Sequence, residues 1–260
     1  IMQQLLLFVQ GKGNCQLYNE YEDEEDDDDD EYADHDHMLM DAVTDLIGAF
    51  AGALGPHFGK YVNPFFGHLI KFLKPTKPAS DRSMVVGCFA EIVDGLKTAI
   101  APYVSDLLQI ASTAIQDPEP KVQRNACFLI GVLVTHAPEN SVIFQNLDQV
   151  IMFLNPFFNI KSSGKLRNED AALIDNACSA LARIITRAHS GINMEEILPV
   201  FLRSLPLRED HEEDLPVYQC IFTLVSVQNT LICVKHKGEL LRIINEVCVE
   251  NSPVDNEILQ

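Results

Sequence analysis

The sequence has no tryptophan and no Asn-Gly pair of the kind that closes a tight β-hairpin. Nothing in it marks a meandering β fold. Seven cysteines are present, but none forms a CxxC motif or a close pair. A disulfide framework or a zinc site is therefore not expected, and the usage fits a reducing compartment. No apolar run reaches the roughly 18 residues that span a membrane, and the start lacks the basic flank of a signal peptide. GxSxG, HExxH, P-loop and GxGxxG motifs are all missing, and Gly11-Lys12-Gly13 is too short to cradle phosphate. Carboxylates are plentiful, yet none is spaced against a recognisable acid or nucleophile. No catalytic residue, metal site or cofactor is expected, and the chain reads as a non-enzyme. Basic residues are scarce as well: 19 Lys and Arg face 38 Asp and Glu, a net charge of −19. That balance disfavours nucleic acid and anionic membranes and favours basic proteins as partners.

What is present starts with acid. Glu20 to Asp36 holds 13 carboxylates and no Lys or Arg. Its densest part is Glu22, Asp23, Glu24, Glu25, Asp26, Asp27, Asp28, Asp29, Asp30 and Glu31. Such a run repels itself and buries nothing, so a solvated, disordered loop is expected over 20–36. It either solubilises the chain or attracts a polycationic partner.

The remainder alternates helix and turn. Met2–Val9 reads as the second helix of a unit whose first half is missing, and the chain as a piece of a longer protein. From Met38, Leu39, Ala42, Val43, Leu46, Ile47 and Phe50 fall at helical spacing until Gly55-Pro56. Phe58–Leu73 gives a second helix, stopped by Pro75 and Pro78. Helices are then predicted over Ser80–Ile100 and Tyr103–Gln116, separated at Pro102. Past Asp117-Pro118-Glu119-Pro120 come Lys121–His136 and Gln145–Phe158. A polar loop precedes Glu169–Ala188 and Met194–Leu205. An acidic connector leads to Pro216–Val234 and Glu239–Val249. The β-branched stretch around Thr223–Val234 is the weakest helix former.

Self-similarity supports a repeat. Cys88, Cys127, Cys178 and Cys220 occupy matching places in successive first helices, at steps of 39, 51 and 42 residues. The long step contains the polar insertion Asn159–Arg167. A small apolar residue recurring there suggests close helix approach, with Cys acting as a small hydrophobe. A period near 40 built from helix pairs is the mark of HEAT or armadillo repeats, which bury their faces by stacking. The expected fold class is all-α, a right-handed superhelical solenoid of about five to six HEAT repeats running as one unit over 1–260.

Several polar residues stand out. His35 and His37 lie among aspartates and read as solvated loop residues with raised proton affinity. His68 and His136 read as packing or helix-end residues. Asn125 and Asp175-Asn176 occupy equivalent places in adjacent repeats and, with Arg183, read as stitches between repeats; hydrogen bonding to a partner's extended backbone is the alternative. Arg187, four residues beyond Arg183, shares its face. The connector Glu209, Asp210, Glu212, Glu213 and Asp214 is a second acidic cluster, held on ordered repeats rather than in a long loop. It is either an exposed loop or a preorganised site for Lys and Arg.

Four blocks carry a resemblance. Asp117-Pro118-Glu119-Pro120-Lys121-Val122 looks like the acidic, proline-bearing turn of many HEAT repeats, departing at Gln123, where the family's ladder arginine would stand. More specific are SMVVGCFAEIVDGL (Ser83–Leu96), RNACFLIGVL (Arg124–Leu133), DNACSALARII (Asp175–Ile185) and LPLREDHEED (Leu205–Asp214). In this order, behind an acidic loop, they resemble the C-terminal half of a karyopherin-β nuclear import receptor, from about Glu22 to Val249. The resemblance implies a monomeric cargo-binding segment shuttling between cytoplasm and nucleus. It implies basic cargo: core histones, above all the arginine-rich pair, delivered with a histone chaperone, and ribosomal proteins. It also implies Ran GTPase and nucleoporins as partners of the whole receptor. A HEAT scaffold or adaptor with a merely solubilising loop stays open as the alternative.

Overall fold

The computed structural model describes residues 1–16, 29–160 and 166–249, with 29–36 and 249 described by backbone only. Twelve helices follow in order among the described residues: α1 (Met2–Val9), α2 (Asp29–Leu54), α3 (Gly59–Leu69), α4 (Ala79–Leu96), α5 (Val104–Ala114), α6 (Pro120–His136), α7 (Val142–Gln145), α8 (Leu147–Leu154), α9 (Asn168–Ala188), α10 (Met194–Arg203), α11 (Asp214–Ser226) and α12 (Lys237–Val249). No strand occurs among them.

Several boundaries differ from the sequence expectation for local reasons. Helix α2 starts at Asp29 rather than near Met38. Acidic residues are favoured at a helix N-terminus, where the macrodipole is positive, so the end of the acidic run is helical backbone rather than loop. Residues 17–28 lie outside the described residues. Gly55, at φ +56°, ends α2 in the left-handed region that glycine tolerates. Helix α4 stops at Leu96, and Lys97–Tyr103 continues as a 3₁₀ stretch. The helix expected over Gln145–Phe158 is split at Asn146, whose side-chain amide donates to the Val142 carbonyl at 2.7 Å. Asn and Asp side chains compete in this way with helical bonds. The β-branched stretch leaves the α-helix after Ser226 and resumes as a π turn over Leu231–Lys235.

Helices α2, α4, α6, α9 and α11 stack one on the next in a single row. The others form a second, more loosely spaced row. Helix α5 lies more extensively on α6 than on α4, so the Asp117–Pro120 turn joins a packed pair instead of separating two. Helix α1 correspondingly packs on α2 and α3.

Small residues set the tight spacing of the first row. A Cβ on Gly95 would meet the Ala51 backbone carbon at 2.4 Å, so α2 and α4 touch through main chain there. Gly131 similarly faces α9 at Ala180 and Arg183. Cys88, Cys127, Cys178 and Cys220 are all buried in this row. Burial pushes all four thiols up, that of Cys220 to about 11, which keeps them protonated and inert. A row spaced more closely than its partner lies on the inside of the curve.

The stretch His37–Leu73 contains a window apolar enough, by composition, to cross a membrane, which the sequence reading did not anticipate. It is broken at Gly55-Pro56, and its Ile47, Ala51, Phe58, Phe65 and Leu69 are wholly enclosed by neighbouring helices. Two apolar clusters meet at α9. Leu173, Ala177, Ala180 and Ile184 join the one toward α1, while Cys178, Leu181, Ala182 and Ile185 join the one toward α12. Burying each phenylalanine or leucine there is worth roughly 1.5–3 kcal/mol. Helix α9 thus contributes to both clusters.

Candidate protein-binding site

Polar side chains in the first row tie each repeat to its neighbour. Arg82 on α4 clasps Asp117 with two bonds, Nε to Oδ2 at 2.7 Å and Nη2 to Oδ1 at 2.9 Å. This rung stands one repeat before Gln123, where the sequence lacks one. Asn125 on α6 donates to the Ser83 carbonyl at 2.8 Å. His136 Nε2 lies 2.9 Å from Asp94 Oδ1 on α4. Arg187 donates to the Thr135 and Ala137 carbonyls and stands 5.3 Å over the Phe144 ring.

The densest set fixes the connector before α11. Asp175, fully buried, accepts the backbone N–H groups of Arg208, Glu209 and Asp210 on Oδ2 at 2.9, 2.8 and 3.1 Å. Asn176 donates to Asp210 Oδ2 at 2.7 Å. Arg183 donates to Glu213 Oε2 at 2.5 Å, with the Ser179 hydroxyl bonded to both. Asn125, Asp175, Asn176 and Arg183 thus all serve as stitches.

This pins down which acids are free. Glu213 is buried against Arg183, and Asp214 is buried against His211 at 3.1 Å. Burial pushes the Asp214 carboxyl up, His211 opposing. Both are buried in the packing of α11, although Glu213 also borders the cleft along the first row. Glu209 and Glu212 remain exposed, and Asp210 is half-buried. The sequence alone could not separate these five, because adjacent residues in a tight connector alternate between inward and outward directions.

The exposed acids face a cleft of about 660 Å³ along the first row. Helix α2 contributes Asp41 and Asp45, α4 Glu91, and α9 Glu169; the connector adds Glu209, Asp210, Glu212 and the buried Glu213. Arg124 is the one basic residue among the described residues that line it. Among the described residues, Asp45, Glu91, Glu169, Glu209 and Glu212 have no ion-pair partner. Burial, then Asp94, Asp45 and Glu212, push the Glu91 carboxyl up. Glu212 comes from well along the chain, yet it lines the same cleft as Glu91. Asn125 and Asn176 add amides and Phe128 an aromatic edge. The arrangement suits guanidinium or ammonium groups presented by a chain lying across several repeats.

The sequence reading missed Asp41, Asp45, Glu91 and Glu169. A usable signal existed for Glu91, since it and Asp94 are the only acids in the apolar run Met84–Leu96. Of the acidic run, Glu22–Asp28 lie outside the described residues, whereas Asp29, Asp30 and Glu31 open the helix that carries Asp41 and Asp45 into the cleft. His37, expected in a solvated loop, lies between α2 and α4, 3.3 Å from Asp81 Oδ1.

Paired helices, a tightly stacked inner row and polar rungs between repeats define an α-solenoid of the HEAT class. Residues 31–130 match the family profile described as Importin subunit beta-1-like, TPR repeats. A probable importin subunit beta-4 of Schizosaccharomyces pombe is 29% identical over 231 residues, 88% of this chain and 21% of its own length. Importin-4 of Homo sapiens is 31% identical over 247 residues, 94% of this chain and 21% of its own. Importin-4 of Mus musculus is 30% identical over 220 residues, 84% and 19%. The chain belongs to the karyopherin-β (importin-β) family, and it spans about a fifth of the length of these relatives.

Proposed function

We propose that this chain forms the cargo-binding part of a nuclear transport receptor and receives extended, Lys/Arg-rich segments in its inner acidic cleft. The observation that carries the proposal is the cleft itself, where unpaired carboxylates from α2, α4, α9 and the connector converge with one arginine. Each exposed pair formed there is worth about 0–1 kcal/mol, so affinity rests on several acting together. Rigid placement sets the register, and the long-range negative field speeds encounter. The acidic run at Glu22–Glu31 adds to that field. The cargo class proposed is core histones, above all the arginine-rich pair with or without a chaperone, and ribosomal proteins. Ran and nucleoporins act on the whole receptor, which shuttles between cytoplasm and nucleus.

Titration of the chain with a labelled arginine-rich histone pair tests this. Saturable binding that weakens steeply from low to physiological salt is expected. Absence of binding at low salt would overturn it and leave a scaffold role for the solenoid.

A further inference from the structure

Helix α6 stands in the middle of the first row and differs from the rest of it in charge. Pro120–His136 contains no Asp or Glu, whereas α2, α4, α9 and α11 each carry at least one. What α6 turns to the cleft is Arg124, Asn125 and Phe128. Along the row the cleft therefore presents acid from Asp45 and Glu91 on α2 and α4, then a cation on α6. Acid follows again from Glu169, Glu209 and Glu212 on α9 and the connector.

Arg124 is also uncommitted. Other arginines of the row are taken by neighbours: Arg82 by Asp117, Arg183 by Glu213, and Arg187 by the Thr135 and Ala137 carbonyls. Among the described residues Arg124 makes no ion pair, and its hydrogen bond is a long one, Nε to Asn125 Oδ1 at 3.4 Å. Burial, Asp94, Asp45 and Glu212 push the Glu91 carboxyl up, and no guanidinium opposes them. An arginine is always charged, so one that engages no carboxylate keeps its field for whatever lies in the cleft.

We propose that Arg124 sets the register of a bound basic segment by excluding Lys and Arg from the position opposite α6, so that the cleft prefers two basic clusters separated by a short neutral stretch. This rests on the basic-cargo reading and adds a sequence rule to it. A basic side chain opposite Arg124 meets a like charge, a juxtaposition that costs affinity steeply. A neutral residue there leaves its backbone carbonyl to accept from the guanidinium. On either side the same segment finds carboxylates. Packed helices lie about 8–10 Å apart, which extended chain covers in about three residues. A featureless acidic surface behaves otherwise and holds the most concentrated block of positive charge most tightly.

The test is fluorescence anisotropy at low salt on the full chain, with two labelled peptides of identical composition. One has three Lys, three Ser and three Lys in order; the other has six consecutive Lys flanked by the Ser. The parent should bind the split peptide at least about threefold more tightly. Arg124→Gln should tighten binding of the contiguous peptide about five- to tenfold and abolish the preference, while Arg124→Lys, which keeps the charge, should retain it. A smaller preference in the parent, or one for the contiguous peptide, would overturn the proposal without recourse to any variant. So would a preference that survives Arg124→Gln or is lost in Arg124→Lys. In each of these cases the basic-cargo reading stands. Binding of neither peptide to the parent sinks that reading and this one with it.

Discussion

Asp175 and Glu209 stand 34 residues apart, yet the buried carboxylate of the first accepts the backbone N–H of the second at 2.8 Å. With the N–H groups of Arg208 and Asp210 on the same oxygen, one side chain holds the backbone that presents Glu209 and Glu212. Asp175→Ala should therefore lower stability by about 2–4 kcal/mol, leaving three part-buried N–H groups without their charged acceptor. It should also weaken binding of a basic peptide, although Asp175 itself never reaches the cleft. Denaturant midpoints and a titration at low salt, run on the same variant, check both halves.

Glu213 and Glu212 are neighbours with opposite fates. Glu213→Ala strands Arg183 inside the α9–α11 contact and should cost about 3 kcal/mol of stability. Glu212→Ala should leave the unfolding midpoint within about 0.5 kcal/mol and reduce affinity for a basic peptide instead. Similar losses of stability for both would mean that the connector is not ordered as described.

Glu91 should couple the binding of a basic peptide to protons. Its carboxyl is pushed above its ordinary 4.5 by burial first, then by Asp94, Asp45 and Glu212. The folded chain therefore holds this proton more tightly than the unfolded one, and ionisation opposes folding as pH rises through that window. A bound cation favours the ionised form, so affinity for a basic peptide should climb with pH through the same window and then level off. Glu91→Gln should flatten the climb, cost roughly two- to fivefold in affinity at neutral pH, and slightly raise stability there. Calorimetric titrations in buffers of different ionisation enthalpy would read the released proton directly.

Asp94 behaves in the opposite sense. The bond from His136 is the largest influence and, with Lys97 and against burial, holds its pKa at about 2 instead of 3.8. Its contribution to stability is fully present above pH 3.8 and is lost as pH falls toward 2. Asp94 is half exposed, so solvent screening limits the effect to about 1 kcal/mol. Asp94→Asn should remove that part of the acid sensitivity, seen as a shallower fall of the denaturation midpoint between neutral pH and acid.

Gly95 and Gly67 separate a packed glycine from a free one. A methyl at Gly95 would strike the Ala51 carbonyl carbon and oxygen at 2.4 and 2.6 Å, main-chain atoms that cannot rotate away. Gly95→Ala should destabilise by about 2–3 kcal/mol. Gly67, within α3, has nothing within 4 Å of its would-be Cβ, so Gly67→Ala should stabilise by about 0.5–1 kcal/mol. Thermal or urea unfolding of the two variants side by side makes the comparison.

The repeat was legible in the sequence because its signal is local and recurring: the cysteine steps, the prolines between helices, the apolar spacing of Leu39 to Phe50. Pairing of helices was not, since α5 is flanked by a proline turn on each side and only packing shows that it leans on α6. The stitches Asn125, Asp175 and Asn176 could be guessed from their recurrence. That Glu213 and Asp214 turn inward could not, for a run of acids carries no mark of which ones a neighbouring helix will claim. The acidic cleft was the least readable feature, because Asp45, Glu91, Glu169 and Glu212 are far apart in the chain and meet only through the stacking of the row.

The main-chain contact at Gly95 has a mechanical side. Two helices that touch backbone to backbone cannot be pressed closer, while the outer helices beside them retain room to shift. Between α2 and α4 the inner row therefore has a fixed minimum spacing, and any bending of the coil there would fall on the outer gap between α3 and α5.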